Sequence, residues 1–204
     1  MKERRDILAL ARQSPHGVLI SLVRVSMLPK REPVARLFVA LEGTTAGAIT
    51  RGCLDANLIN HAIWMVERGA VIMRYDVPSD NPSETQFGLG CGGDIDLLLE
   101  DVSSAEGKAL LAAIESSLSG DERFVATRLP LGVNCAPCGA GRSDHLARIV
   151  LNADGDLLFA TERLGLDEII AMRGILRRAM VAHEIHCTVI NGIFCERFAP
   201  CSVL

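Results

Sequence analysis

No stretch of this chain approaches the ~18 consecutive apolar residues that cross a bilayer. The N-terminus, Met1-Lys2-Glu3-Arg4-Arg5-Asp6, is charged and lacks the apolar h-region of a secretory leader. Positive charge is not in excess: 21 Lys and Arg stand against 25 Asp and Glu, a formal net charge of −4. That balance gives no reason to expect nucleic acid or a membrane surface as partner. There is no P-loop, no Gly-x-Gly-x-x-Gly dinucleotide fingerprint and no Ser-His-Asp order. No Rossmann domain and no NAD site are therefore expected. The single tryptophan, Trp64, lies in an apolar helical stretch and is expected in the core.

Cysteine, by contrast, is present seven times. An odd count without a secretion signal argues for reduced thiols in the cytoplasm rather than a disulfide framework. Hydrophobic residues make up 49 % and charged residues 23 %, ordinary for a globular protein, and 204 residues can bury a full core.

Two of the cysteines sit in glycine-rich turns at the ends of apolar runs. One is Arg51-Gly52-Cys53-Leu54-Asp55; the other is Gly88-Leu89-Gly90-Cys91-Gly92-Gly93. Glycine strips side chains from the backbone, so a bulky ligand can approach sulfur and amides together. Cys53 opens a helical run beside Arg51, and both the helix dipole and the guanidinium would lower its pKa. Both thiols read as candidate thiolates, although a small buried cysteine in a tight turn fits the same residues.

The chain repeats itself in outline. Ala35-Arg36-Leu37-Phe38-Val39-Ala40-Leu41-Glu42-Gly43 is echoed by Ala147-Arg148-Ile149-Val150-Leu151-Asn152-Ala153-Asp154-Gly155. Strand-like runs precede each copy (18–25 and 124–129), and a helix and a strand follow each. The helices are 54–68 and 166–182; the strands are 71–75 and 188–194, the latter broken by a turn at Asn191-Gly192. The expected fold is α/β, a mixed sheet with flanking helices built from two duplicated β-hairpin-α-β units, spanning about 17–102 and 122–198 of one domain. Ser103 and Glu106 read as a capping box, Gly120 as a helix stop and Asp154-Gly155 as a hairpin turn. The second copy has Gly165 about where Cys53 stands, which confines thiol chemistry to the first.

Cys135-Ala136-Pro137-Cys138 is a C-x-x-C in a Gly/Pro-rich loop. Gly139-Ala140-Gly141 is a poor helix start, and no second C-x-x-C completes a zinc site, so no metal is assigned. His183 and His186 fit a helix end better than a ligand pair.

The two cysteine turns resemble the signatures of the XdhC/CoxI family, accessory proteins for xanthine dehydrogenase and carbon monoxide dehydrogenase. The turn at Gly88–Gly93 is complete. The turn at Ile49-Thr50-Arg51-Gly52-Cys53-Leu54-Asp55 departs from the family's small-small-Gly-Gly-Cys-Leu-Glu at Arg51, and Ser26-Met27-Leu28-Pro29-Lys30-Arg31 replaces the family's Gly-Ser-Ser-Pro-like segment. Family members usually continue into a dinucleotide-binding domain about where this sequence stops, so a short form or a truncation of the family is expected. The resemblance implies a maturation protein that binds molybdenum cofactor (molybdopterin) as cargo and delivers it, sulfurated, to a molybdenum hydroxylase apoenzyme. It implies a cofactor-insertion chaperone rather than a turnover enzyme, with a cysteine desulfurase as further partner. Arg51, Gly52, Cys53, Gly90, Cys91, Gly92 and Gly93 would be the binding residues. Two other readings stay open: a thiol oxidoreductase or sulfur carrier using Cys53/Cys91 or Cys135/Cys138, and a non-catalytic partner subunit of a dinucleotide-binding protein. The apolar ending Phe194–Pro200 suggests a homodimer.

Overall fold

The computed structural model describes residues 2–25, 35–49, 53–67, 69–75, 95–129, 134–135, 141–143, 146–181 and 187–200. The chain opens with a helix that the sequence reading does not assign, α1 (Lys2–Gln13), whose buried residues Ile7, Leu8 and Ala11 make a narrow stripe on an otherwise charged rod. Five strands and a helix follow: β1 (Val18–Val25), β2 (Arg36–Val39), β3 (Thr45–Gly47), α2 (Cys53–Met65), β4 (Ala70–Tyr75) and β5 (Ile95–Asp101).

The succession then recurs. It runs α3 (Ala105–Leu118), β6 (Arg123–Arg128), the short β7 (Asn134–Cys135) and β8 (Gly141–Ser143), β9 (Ala147–Asn152), β10 (Leu157–Ala160), α4 (Leu166–Val181), β11 (Cys187–Ile190) and β12 (Ile193–Phe198). The first sheet has the order β3-β2-β1-β5-β4 and the second β10-β9-β6-β12-β11; β7 and β8 add to the outer edge of β4. The main ladders are antiparallel, and the described parallel pairing is β4 with β7. The expected α/β fold of two similar units is thus observed. Each unit also carries an opening helix and closes with a further strand.

Register shows how closely the units correspond. Ser21 pairs with Arg36 in the first sheet, and Thr127 with Arg148 in the second. Leu19 faces Glu100, and Val125 faces Glu196. The β2–β3 turn closes with Gly43 N donating to Ala40 O at 2.9 Å; the β9–β10 turn closes with Gly155 N donating to Asn152 O at 3.1 Å. Gly43 and Gly155 have φ of 82° and 81°, a left-handed conformation that glycine adopts at no steric cost.

The core is layered. Alternate residues of the first sheet (Val18, Ile20, Val71, Leu97) pack under Leu58 and Ala62 of α2 and under Val66 just beyond its end. Its other face meets the second sheet, with Val23, Ile72 and Leu98 against Phe194, while α1 and α3 join the cluster around Phe38, Val125, Val150 and Phe198. On the far side Phe124, Ala126, Ile149 and Leu151 pack under Met172, Leu176 and Ala179 of α4.

Two buried ion pairs cross between the sheets. Arg148 donates to Glu100 at 2.7 and 3.1 Å, both side chains 1 % exposed, and its Nε donates to Thr127 Oγ1 at 2.9 Å. Arg36 pairs with Glu196. Because Arg36 corresponds to Arg148 and Glu100 to Glu196, each unit contributes one arginine and one glutamate to the other.

Several local expectations change. Trp64 is 63 % exposed, not core: Leu58, Ala62 and Val66 set the buried face, and Trp64 follows Ala62 by 200° of helix rotation. The α3 cap is Ser104, whose hydroxyl accepts from Gly107 N at 2.9 Å, while Ser103 binds the Asp101 carboxylate. Gly120, with φ of 100°, does close α3, and Asp121 N donates to Ser116 O as in a Schellman end. The helix starts align Cys53 with Leu166, so Gly165 matches Gly52. The apolar ending is no exposed tail: β12 lies inside the second sheet, with Phe194 and Phe198 each 1 % exposed. Among the described residues no helix is long and apolar enough to cross a membrane.

Candidate functional site

The register of the first sheet fixes which chain segments share an end. Val25 and Tyr75 both pair with Ile95, so β1 and β4 finish, and β5 begins, along one row. β3 runs antiparallel to β2 and hence toward that same row, after which α2 begins at Cys53. Cys135 in β7 pairs beside Arg74, one residue from the row. Cys135 is therefore brought to this end of the first sheet at the level of backbone, while β3 ends at Gly47, level with Ile20, and runs in the direction of that end six residues before Cys53. Arg51, Gly52, Gly90, Cys91, Gly92 and Gly93 lie outside the described residues, as do Cys138, His183 and His186. Cys91 precedes the start of β5 at that end by four positions.

A charged cluster underpins this end. Asp96, its side chain 4 % exposed, accepts from Arg74 Nε at 2.7 Å and Arg74 Nη2 at 2.9 Å, and Arg24 Nε lies 3.6 Å away. The bidentate fork holds the strand ends together directly before residues 76–94. Tyr75 next to it has its hydroxyl pKa raised by burial. None of these residues is singled out by sequence motifs; the signal available is a charge interrupting the end of an apolar strand. Asp55, 9 % exposed in the first turn of α2, accepts from Ile49 N at 3.2 Å and so ties the chain at Ile49 to the start of that helix.

The second unit shows what the corresponding turn does without a cysteine. Glu168, third in α4 as Asp55 is third in α2, accepts from Gly165 N at 2.9 Å and from Arg128 Nη1 at 2.8 Å. The backbone hydrogen bond, then the Arg128 bond and charge, hold its carboxyl below the usual glutamate value. A concavity of about 800 Å³ opens there. Arg128, Thr161, Leu164 and Glu168 of the second unit line it, with Glu100 and Ala70 from the first. Those first-unit residues sit at the far end of β4 and β5 from Tyr75 and Ile95, so the concavity is separate from the cysteine end.

Cys195 is the one free thiol whose surroundings are described. Burial, with a smaller contribution from Glu196, pushes its pKa up to about 12, so it is core rather than chemistry. Among the described residues no cluster of three His, Cys, Asp or Glu side chains could hold a metal ion.

Residues 10–76 match the XdhC and CoxI family. No curated protein matches the chain. Among solved structures, the fold is similar to that of a xanthine dehydrogenase from Bacillus halodurans, determined by crystallography at 2.80 Å resolution. The two are 20 % identical with a TM-score of 0.64, and the match covers 98 % of this chain and 53 % of that one. This chain thus spans about half the length of that protein, and the likeness is one of fold.

Proposed function

We propose that this chain, whose residues 10–76 match the XdhC and CoxI family, serves the maturation of a molybdenum hydroxylase and holds molybdenum cofactor as cargo at the cysteine end of the first sheet. The observation that carries this reading is topological. β3, the strand that leads to the helix start bearing Cys53, runs toward the sheet end at which β5 begins, and Cys91 stands four positions ahead of β5 in the chain. Four residues of chain reach at most about 14 Å, which bounds the separation of Cys91 from the start of β5. The second unit supports the choice of place, because its corresponding helix-start turn borders a concavity of about 800 Å³.

The residue types suit the cargo. Thiolates of Cys53 and Cys91 are soft donors for a molybdenum centre with sulfur ligands. Amides of Gly90, Gly92 and Gly93 and the start of α2 suit the pterin's phosphate, and Arg51 adds a charge-assisted contact. Transfer to the hydroxylase apoenzyme, a cysteine desulfurase as sulfur source and a cytoplasmic setting belong to the same reading. A thiol-redox role is the second reading, favoured by β7, which sets Cys135 beside Arg74 at the same sheet end.

The test is cofactor retention. Wild type, Cys53→Ser and Cys91→Ser are loaded with molybdenum cofactor and desalted, then bound molybdenum and pterin are measured. Each substitution is expected to lower retention more than about tenfold, beyond the loss of one contact of ~1.4 kcal/mol, with an unchanged circular dichroism spectrum. Retention at the wild-type level in both variants removes the cargo site from these cysteines. Turnover of a disulfide substrate that is lost in Cys135→Ser would favour the redox reading instead.

A further inference from the structure

We infer that the outer face of α4 is a self-complementary docking surface for a second copy of this chain, the two helices lying antiparallel about a two-fold axis. Exposed large apolar side chains are unevenly distributed over the described residues. Leu157, Leu158, Leu166 and Ile170, at 39, 53, 73 and 58 % exposure, fall within one short stretch; outside it stand only Leu41 and Trp64. β10 is the edge of its sheet and carries the first two. Arg173 of α4 donates to Gly155 O at 2.6 and 3.0 Å, so the flank of α4 that continues into Leu166 lies along the β9–β10 turn. An edge strand and a helix face close together in the chain thus both expose large apolar side chains, a combination that globular proteins seldom leave uncovered.

The occupant is indicated by charge and shape along α4. Met172, Leu176 and Ala179 face the sheet, which turns Asp167, Ile170, Gly174 and Arg178 outward at 100° per residue. The helix is acidic in its first turn and basic in its last. The side chains of Asp167 and Arg178 make no hydrogen bond or ion pair among the described residues. Gly174 has open space where a Cβ would stand, with nothing within 4 Å. An antiparallel second copy satisfies all of this with one operation. Ile170 enters the notch at Gly174 of the second copy, and Asp167 meets its Arg178, each contact made twice. A two-fold interface requires this kind of match of a surface with itself, and an unrelated partner would not.

Sedimentation velocity on the full chain from about 1 to 100 μM tests it. Wild type is expected to dimerise over this range, and Ile170→Arg to weaken the dimer at least about a hundredfold by placing a charge in the apolar seam. Asp167→Arg and Arg178→Asp should each weaken it about tenfold, and their equimolar mixture should recover to within about threefold of wild type, because both crossed contacts are then opposite in charge. All three side chains are outward-facing, and unchanged thermal melting checks the fold; Ala171→Arg replaces Ile170→Arg if that variant melts early. A wild type that stays monomeric to 100 μM overturns the inference. So does a dimer unaffected by Ile170→Arg, or single charge reversals that fail to complement on mixing. None of these readings involves the cofactor, so they are separable from the failure of the proposed function.

Discussion

The two units share a strand order but close their last hairpins differently. In the second, Ile190 and Ile193 flank the two-residue turn Asn191-Gly192, with φ of 50° and 75° at the two central residues, the signature of a primed turn whose twist suits the strands. In the first, β4 and β5 extend the ladder to Tyr75 and Ile95, and residues 76–94 intervene. The added ladder carries the Arg74–Asp96 pair. The second unit therefore shows what the fold needs to close, and the first what has been added to it. Long connections within compact domains are more often functional than structural. The family-like cysteine turn at Gly88–Gly93 belongs to that addition, as the proposed function requires. At the interface of the units the contrast is reversed. Arg36–Glu196 and Arg148–Glu100 are matched in position, and what differs is environment: Arg148 and Glu100 are both 1 % exposed, Arg36 and Glu196 6 % and 3 %.

Removing one member of each crossed pair should separate the two environments, and it should give the largest effect. Arg148→Met leaves Glu100 buried among apolar residues without its cation. The expected loss is about 3–5 kcal/mol in urea unfolding at pH 7. Arg36→Met should cost less, because Glu196 lies nearer solvent. Adding Glu100→Gln to Arg148→Met should return part of the loss, since an amide tolerates burial better than a carboxylate. Equal costs below ~1 kcal/mol for both single variants would mean that the pairs are water-accessible in solution and that the two halves are not locked through them.

The hairpin contrast can be broken directly. Replacing residues 76–94 by Asn-Gly joins Tyr75 to Ile95 as Ile190 joins Ile193. If the first unit obeys the closure rule of the second, the protein folds cooperatively and gains up to ~2 kcal/mol from the shorter loop. Cofactor retention should vanish together with Cys91. Loss of the cooperative transition would show that the inserted residues are part of the core of the first unit. Full retention by a folded graft would move the cargo site elsewhere.

Much of this architecture was legible because the repeat is written in paired local signals. Ala35-Arg36 and Ala147-Arg148, with Gly43 and Gly155, mark equivalent strands and turns, and Asn191-Gly192 announces its hairpin. What the sequence could not convey is long-range pairing. That Arg36 and Arg148 cross to Glu196 and Glu100 follows from stacking two sheets, which periodicity does not encode. Helix α1 has a charged sequence with only the narrow stripe Ile7, Leu8 and Ala11, and the tertiary contacts of that stripe hold it in place. Trp64 is exposed because its angle on the helix, and not its residue type, decides burial. At the candidate site the cysteine turns stood out as motifs, whereas the Arg74–Asp96 clasp has no motif and emerges only from register.

The smallest effect concerns the matched helix starts. Glu168 has its pKa lowered in the folded state, first by the hydrogen bond from Gly165 N and then by Arg128. A group with a depressed folded pKa contributes stability that is fully present above its unfolded value and is lost as pH falls through the folded one. Glu168→Gln should therefore lower the urea midpoint slightly at pH 7, and the gap from wild type should close as pH drops below the ordinary glutamate value of about 4.3. Because Glu168 is open to solvent, raising salt should remove the Arg128 share and leave the backbone share. Asp55→Asn, at the same helix position in the first unit but 9 % exposed, should be less sensitive to salt, since a buried acceptor on Ile49 N is poorly screened. Salt dependence of equal size in the two variants would show that burial does not distinguish these two turns. The second unit would then be a poorer guide to the geometry in front of Cys53 than the shared strand order suggests.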